Sequence, residues 1–191
     1  SDIIRCQAIR SADPDAERMS IISAQTFTEV SPAQIDRHGI IDMKSSPREV
    51  MPVDRDISRA RRQILKKDDV LFAIKGSVGK CALVDEDTEG CIGSQSFVIL
   101  RSKNTKVVPP LMLFRYLISP LGQVLVSRWA TGEAVQIIKM QDLKRLPVPL
   151  LSAKELREIE ENQVEVDRLS AQLTQITEEL DRSMHALWAI D

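Results

Sequence analysis

The chain has 191 residues, of which 43% are hydrophobic and 28% charged, and a net charge of −2. That is apolar enough for one folded domain with an appendage and too apolar for a disordered chain. No run reaches the roughly 18 apolar residues of a membrane span, and no basic-then-apolar leader opens the chain, so the expectation is a cytoplasmic protein with no membrane role. Cys6, Cys81 and Cys91 are odd in number and widely spaced, and His38 and His185 lie far apart, which argues against a disulfide framework, a zinc knuckle or a histidine-rich metal site; no metal is expected.

In chain order, the first 60 residues are the least legible. Ser20 to Ala24 and Gly39 to Met43 read as strands, and Asp56 to Leu65 as a helix or an exposed loop. The clearest strand is Val70 to Ile74, a continuous apolar run after Lys66-Lys67-Asp68-Asp69, as expected of a strand covered on both faces. Gly76 and Gly79 bracket a tight turn, and Lys80 to Val84 returns as the second arm of a hairpin. Ser96 to Leu100 is a third strand, preceded by Gly90 and Gly93. Pro109-Pro110 opens a helix over Leu111 to Ile118, ending near Ser119-Pro120, and a short helix follows over Leu121 to Trp129. After a turn at Thr131-Gly132, Ala134 to Ile138 reads as extended, Met140 to Lys144 as one helical turn, and Leu146 to Leu150 as the way out.

From Ser152 onward there is no Gly or Pro. Ile159, Val166, Leu173, Leu180 and Leu187 recur every seven residues, with Leu169 and Ile176 in a second row between Asn162 and Ser183, which is a heptad seam. Ser152 and Glu155 form a capping box at its start. Carried to Trp188, such a helix is roughly 55 Å long at 1.5 Å per residue, so it is expected to project and seek a partner; the plainer alternative is a long amphipathic helix folded back on its own domain. The fold class is therefore α+β: a mixed, largely β body over residues 1–150, then a long coiled-coil-type helix over 151–191. Charge divides with it. Residues 152–191 hold ten acids and four bases, a net −6, leaving 22 bases and 18 acids, or +4, for residues 1–151. A mildly basic body permits a phosphate-facing surface without requiring one.

No catalytic residue is assigned. Gly76-Ser77-Val78-Gly79-Lys80 has two residues between its glycines where a nucleotide P-loop has four, and Cys81 follows the lysine in place of Ser or Thr. No dinucleotide fingerprint, serine elbow or carboxylate–histidine cluster occurs elsewhere, and Asp85, Glu86 and Asp87 sit in a solvated turn. The chain thus reads as a binder. Lys75, Ser77 and Lys80 around a glycine-opened turn suit a DNA phosphate or base edge; the plain alternative is a tight turn with ordinary surface lysines. Arg55, Arg59, Arg62 and Lys66 would share one helix face, which is either a solvated face or a second basic stripe.

The segment Leu65 to Val84 resembles the "kkGDILfs..GsiGkvalv" hairpin of target recognition domains in specificity subunits of type I restriction-modification enzymes. Four further segments follow in that family's order. Ser94 to Arg101 resembles "nQ.f.il.p", Leu113 to Ser119 "yly..L.S", Ala130 to Ile138 "tGttiq.i", and Asp142 to Leu150 "dlk.l.vPlPpl.eQ"; the long helix resembles the family's helical spacer. Departures are Asp69 in the place of the usual glycine, Glu133 and Ala134 in the place of small hydroxylated residues, and the lack of the customary glutamine early in the long helix.

The resemblance implies a non-catalytic DNA-recognition module that positions a partner adenine methyltransferase, with S-adenosylmethionine in that partner and no cofactor in this chain. Having one body and one helix, and opening on Ser1, the chain would be a half-subunit that pairs through its helix, or a region of a longer or fused chain. The expected DNA-binding residues are Lys75, Gly76, Ser77, Gly79, Lys80, Gln95, Ser96, Thr131 and Lys139, with Arg59 and Arg62 if α-helical and adjacent. Gln95 is the best reader of an adenine edge, while the lysines hold phosphates. The expected helix interface is Ile159, Val166, Leu169, Leu173, Ile176, Leu180 and Leu187. Two other readings stand beside this one: a coiled-coil adaptor without DNA binding, and an intrinsic enzyme, which nucleotide or S-adenosylmethionine binding to this chain would revive.

Overall fold

The computed structural model describes residues 2–11, 25–44 and 47–186. The chain divides into two compact units, Ser1–Leu150 and Leu151–Asp191. In the first, β1 (Asp2–Arg5), β4 (Val70–Ala73), β5 (Cys81–Leu83) and β7 (Phe97–Arg101) form an antiparallel sheet in the order β1-β7-β4-β5. A smaller sheet has the order β3-β2-β6: β2 (Phe27–Val30) runs antiparallel to β3 (Arg48–Val50) and parallel to β6 (Ile92–Gly93).

The apolar run at Val70 is continuous because β4 is central and covered on both faces. Val70 and Phe72 point into a cluster with Val98, Leu100, Leu113, Phe114, Leu117, Val126, Ile138 and Leu143. Leu71 and Ala73 point the other way, into a cluster with Val30, Ile35, Leu65, Ala82 and Ile99. The first cluster is roofed by α2 (Pro110–Ile118) and α3 (Pro120–Trp129). The break between them has a local cause: Pro120 opens α3, and the Ser119 hydroxyl accepts from Gly122 N at 3.1 Å while donating to Tyr116 O at 2.7 Å. Among the described residues, no single helix is long and apolar enough to cross a membrane.

Asp56 to Leu65 resolves as helix α1 (Asp54–Arg62), held by Ala60 in a third cluster with Phe27, Val50 and Ile92. Gly39 to Met43 is not a strand. It belongs to a folded loop with one bridge, Ile35 to Ile41. Ser20 to Ala24 lie outside the described residues. Ala134 to Ile138 is a bent loop in which Ile137 alone bridges, and α4 (Met140–Leu143) is the expected single turn. The exit segment packs Leu146 and Val148 on the first cluster and takes a 2.6 Å hydrogen bond from the Tyr116 hydroxyl at Pro147 O. In the second unit, α5 (Ala153–His185) is one 33-residue helix that starts at the Ser152–Glu155 capping box. Its seam residues Leu169, Leu173, Ile176 and Leu180 are each about half exposed or more; Leu187 lies outside the described residues.

The segment before β4 corrects one reading. The left-handed residue is Asp68, at φ 68°, so the glycine's conformational place is Asp68 and not Asp69. Asp69 is instead a buried carboxylate. It accepts from Arg101 through Nε at 2.7 Å and Nη2 at 2.6 Å and from Lys66 N at 2.8 Å, and the pairing raises the Arg101 guanidinium still further above its ordinary value. The two neighbours should therefore respond in opposite senses in urea unfolding. Asp68→Gly should gain about 0.5–1 kcal/mol by relieving the left-handed backbone. Asp69→Ala should lose about 3 kcal/mol by stranding Arg101.

Candidate nucleic-acid interface

The turn between β4 and β5 is closed by four backbone hydrogen bonds, among them Gly79 N to Ala73 O at 3.0 Å and Lys80 N to Ser77 O at 3.1 Å. Gly76 and Gly79 adopt φ 75° and 88°, where side chains are strained. The two glycines differ in surroundings. A Cβ on Gly79 would lie 2.7 Å from Gln123 Oε1, whereas one on Gly76 would meet nothing within 4 Å, so its backbone is open to an approaching group.

Two distant segments are laced to this turn. Ile74 N donates to Ser96 O at 2.8 Å, Ile138 N donates to Ile74 O at 2.9 Å, and Gly76 N donates to Gln136 O at 3.0 Å. Ile137 bridges both Lys75 and Thr131, so Thr131 to Ile137 is a closed loop standing against the hairpin. Gly132, at φ 110°, makes that closure possible. The structure thus brings together Lys75, Gly76, Ser77, Ser96, Thr131 and Lys139, with Gln95 next in chain to Ser96. Lys75, Ser77, Gln95, Thr131 and Lys139 are exposed, and Ser96 is half-buried. Gln136, exposed on the same loop, is the group that residue types alone did not single out.

Three expected contacts take other roles. Lys80 turns its ammonium inward, donating to Pro32 O at 2.9 Å and Ile35 O at 2.7 Å, so it is a strut for the loop Ser31 to Asp42. Gly79 is buried, and its carbonyl accepts from Gln123 Nε2 at 3.0 Å. Arg59 is bound to buried Asp56 at 2.8 Å, and Asp56 also accepts from Arg10. The hydrogen bond from Arg10 leads in holding the Asp56 carboxyl below the usual carboxylate range. Arg62 is exposed on α1, and among the described residues no hydrogen bond ties α1 to the turn at 75–79.

The hairpin is electrically polar along its length. Its far end carries Asp85, Glu86, Asp87 and Glu89 in a turn built by Asp85, which accepts from Thr88 N at 3.0 Å and Thr88 Oγ1 at 2.6 Å. Lys67 pairs with Glu86 at 2.6 Å at that end, while Lys75 stands at the other. Burial, with Glu29 and Asp69 adding, pushes the Cys6 thiol up to about 12, and burial likewise raises Cys81 and Cys91. Among the described residues, no group of three or more His, Cys, Asp or Glu is placed to hold a metal ion.

The model of one family, the type I restriction modification DNA specificity domain, matches residues 53–182. The chain belongs to this family. The match begins just before α1 and takes in the hairpin, the Thr131 loop and most of α5. Over 99 residues, 52% of this chain and 20% of the relative, it is 30% identical to the type I restriction enzyme EcoBI specificity subunit of Escherichia coli. Two solved structures share the fold. One, from a study of complex assembly and conformational transition of the type I R-M system, is 24% identical with a TM-score of 0.53, covering 97% of this chain and 48% of that one. The other, the type I restriction-modification S subunit of M. genitalium, is 17% identical with a TM-score of 0.56, covering 97% and 42%. The chain thus spans less than half the length of these relatives.

The strut role of Lys80 is measurable in a specificity domain of this build. Lys80→Met should cost about 2 kcal/mol in unfolding free energy, because it leaves two carbonyls without a charged donor. Unchanged stability would show that the ammonium is not holding the loop.

Proposed function

We propose that this chain is the non-catalytic, sequence-reading part of a type I-like restriction-modification or DNA methyltransferase assembly in the cytoplasm. The observation that carries the proposal is the lacing of the Lys75–Ser77 turn to the Thr131–Lys139 loop at the end of the hairpin away from its acidic turn. Family membership, and a curated relative named as a specificity subunit, support it.

In this reading Lys75 and Lys139 hold phosphates, which fixes register without carrying sequence information. The uncrowded backbone at Gly76 lets the duplex approach closely, and the hydroxyls of Ser77 and Thr131 add short polar contacts to the sugar–phosphate backbone. Gln95 is the base reader, its amide matching the N6 and N7 edge of adenine, and Gln136 is the second amide of the same surface. The seam of α5 docks a methyltransferase subunit or a second copy of this chain, and an adenine is methylated in that partner, which brings the S-adenosylmethionine. No group in this chain takes part in the transfer.

Duplexes selected from a random pool, measured by fluorescence anisotropy with and without a methyltransferase partner, provide the test. Lys75→Ala should weaken all duplexes alike and make log K about 0.9 less steep in log salt, the loss of one phosphate contact. Gln95→Ala should relax preference at a single position by about 1–3 kcal/mol. If no duplex is bound at any salt while the α5 association persists, the chain is a coiled-coil adaptor instead. In α5, Leu173→Glu should abolish that association in native mass measurements and leave the selected sequence unchanged.

A further inference from the structure

We propose that the loop Ser31 to Asp42 is a second DNA-backbone contact, in which Arg37 grips a phosphate and Lys80 is the positioning residue that holds the loop at the reading end. This rests on the reading above; the loop itself lies outside the family match at 53–182, while Lys80 lies inside it.

The loop is ordered by its own polar groups. Asp36 Oδ1 accepts from His38 N at 2.8 Å and from Ile40 N at 2.9 Å, Asp42 N donates to Gln34 O at 2.8 Å, and Ser31 N donates to Gln34 Oε1 at 2.7 Å. It is then pinned to the edge strand β5 from two sides. Lys80 holds its Pro32 and Ile35 carbonyls, and Gly39 is seated so tightly that a Cβ there would lie 2.5 Å from Phe114 Cε2 and 2.7 Å from Cys81 O. Both anchors, Lys80 and Cys81, are the first residues after the turn that carries Lys75 and Ser77. The loop therefore stands at the proposed reading end of the hairpin, away from the acidic turn.

At its tip, Arg37 and His38 are exposed, and Arg37 Nε donates to His38 Nε2 at 2.9 Å. That bond fixes the guanidinium plane and leaves both terminal nitrogens, which have no protein partner among the described residues, for a bidentate phosphate contact. The neighbouring carboxylate of Asp36 turns Oδ1 to two backbone amides of its own loop. A planar two-pronged donor on a loop anchored at Lys80 and Cys81 suits a phosphate other than the one that the hairpin contacts.

The experiment uses the full chain and a selected duplex across a salt series. Arg37→Ala should weaken binding roughly fivefold on every sequence alike and make the salt slope shallower by about 0.9. Arg37→Lys should keep the slope and recover part of the affinity, since one prong of the fork is lost. Lys80→Met should produce the same loss without touching DNA, and Arg37→Ala should add nothing further in that background. If Arg37→Ala leaves affinity and slope unchanged while Lys75→Ala alters both, the loop proposal is overturned and the hairpin reading survives. If neither substitution changes DNA binding, the reading of this face as a DNA surface fails as well.

Discussion

The peptide of Ile74 is the joint on which the proposed reading end depends. Its N–H goes to Ser96 and its carbonyl to Ile138, so one residue at the end of β4 fastens two segments that come from elsewhere in the chain. Ile74 and Ile138 are both buried in the first cluster, where an unpaired amide would cost about 1–3 kcal/mol, so neither bond can be released without disturbing the core. The arrangement is fixed by main-chain groups directed inward, while Lys75, Ser77, Gln95, Thr131 and Gln136 face outward. Such a surface can change its side chains without changing its shape, which suits the proposed role of discriminating among DNA sequences.

Electrostatics favour one end of the body more than its net charge suggests. Asp56 and Asp69 are buried against Arg10, Arg59 and Arg101, so these five charges largely cancel where they stand. The Asp85–Glu89 turn places four acids at the opposite end of the hairpin from Lys75. What remains at the turn end is a small set of cations on rigid backbone, with Glu133 as the one acid in the Thr131 loop. A few well-held cations would bring modest affinity and a shallow dependence on salt, which in the proposed role leaves the side-chain amides to decide sequence.

Much of this was legible in the residues because the central strand is two-sided. A run such as Val70 to Ala73 has few alternatives to a covered strand, and the glycines at 76 and 79 mark its turn. The outer strands left no such mark. β1 is a four-residue edge strand with two apolar residues, β3 has one buried residue, and β6 is two residues long, its Gly93 held against Cys6 Sγ where any Cβ would lie at 2.8 Å. These strands exist because of tertiary partners rather than local pattern. The same limit applies to individual charges. Lys80 and Arg59 have the residue type of a phosphate contact, but Lys80 is claimed by loop carbonyls 45 and 48 residues away in sequence and Arg59 by a carboxylate one helical turn earlier. Asp68 and Asp69 look alike as residue types, and backbone angle and burial part them as the order of the motif does: Asp68 takes the left-handed place of the glycine and Asp69 the ion pair with Arg101.

The helix unit imposes the complementary constraint. A 33-residue helix is about 50 Å long, and its middle presents Leu169, Leu173, Ile176 and Leu180 on one seam with little apolar surface opposite. Part of its polar surface pairs locally, Glu165 with Arg168 at 2.6 Å and Gln163 with Asp167 at 2.7 Å, whereas the seam has contact energy still to gain. Four half-exposed aliphatic side chains are each worth about 1 kcal/mol or more if covered, a sum that reaches ordinary subunit affinities only when a partner supplies an equivalent row. Contact energy left along one narrow seam is what the proposed role asks of this unit: a partner with an equivalent apolar row would be held by the helix, independently of the body's side chains.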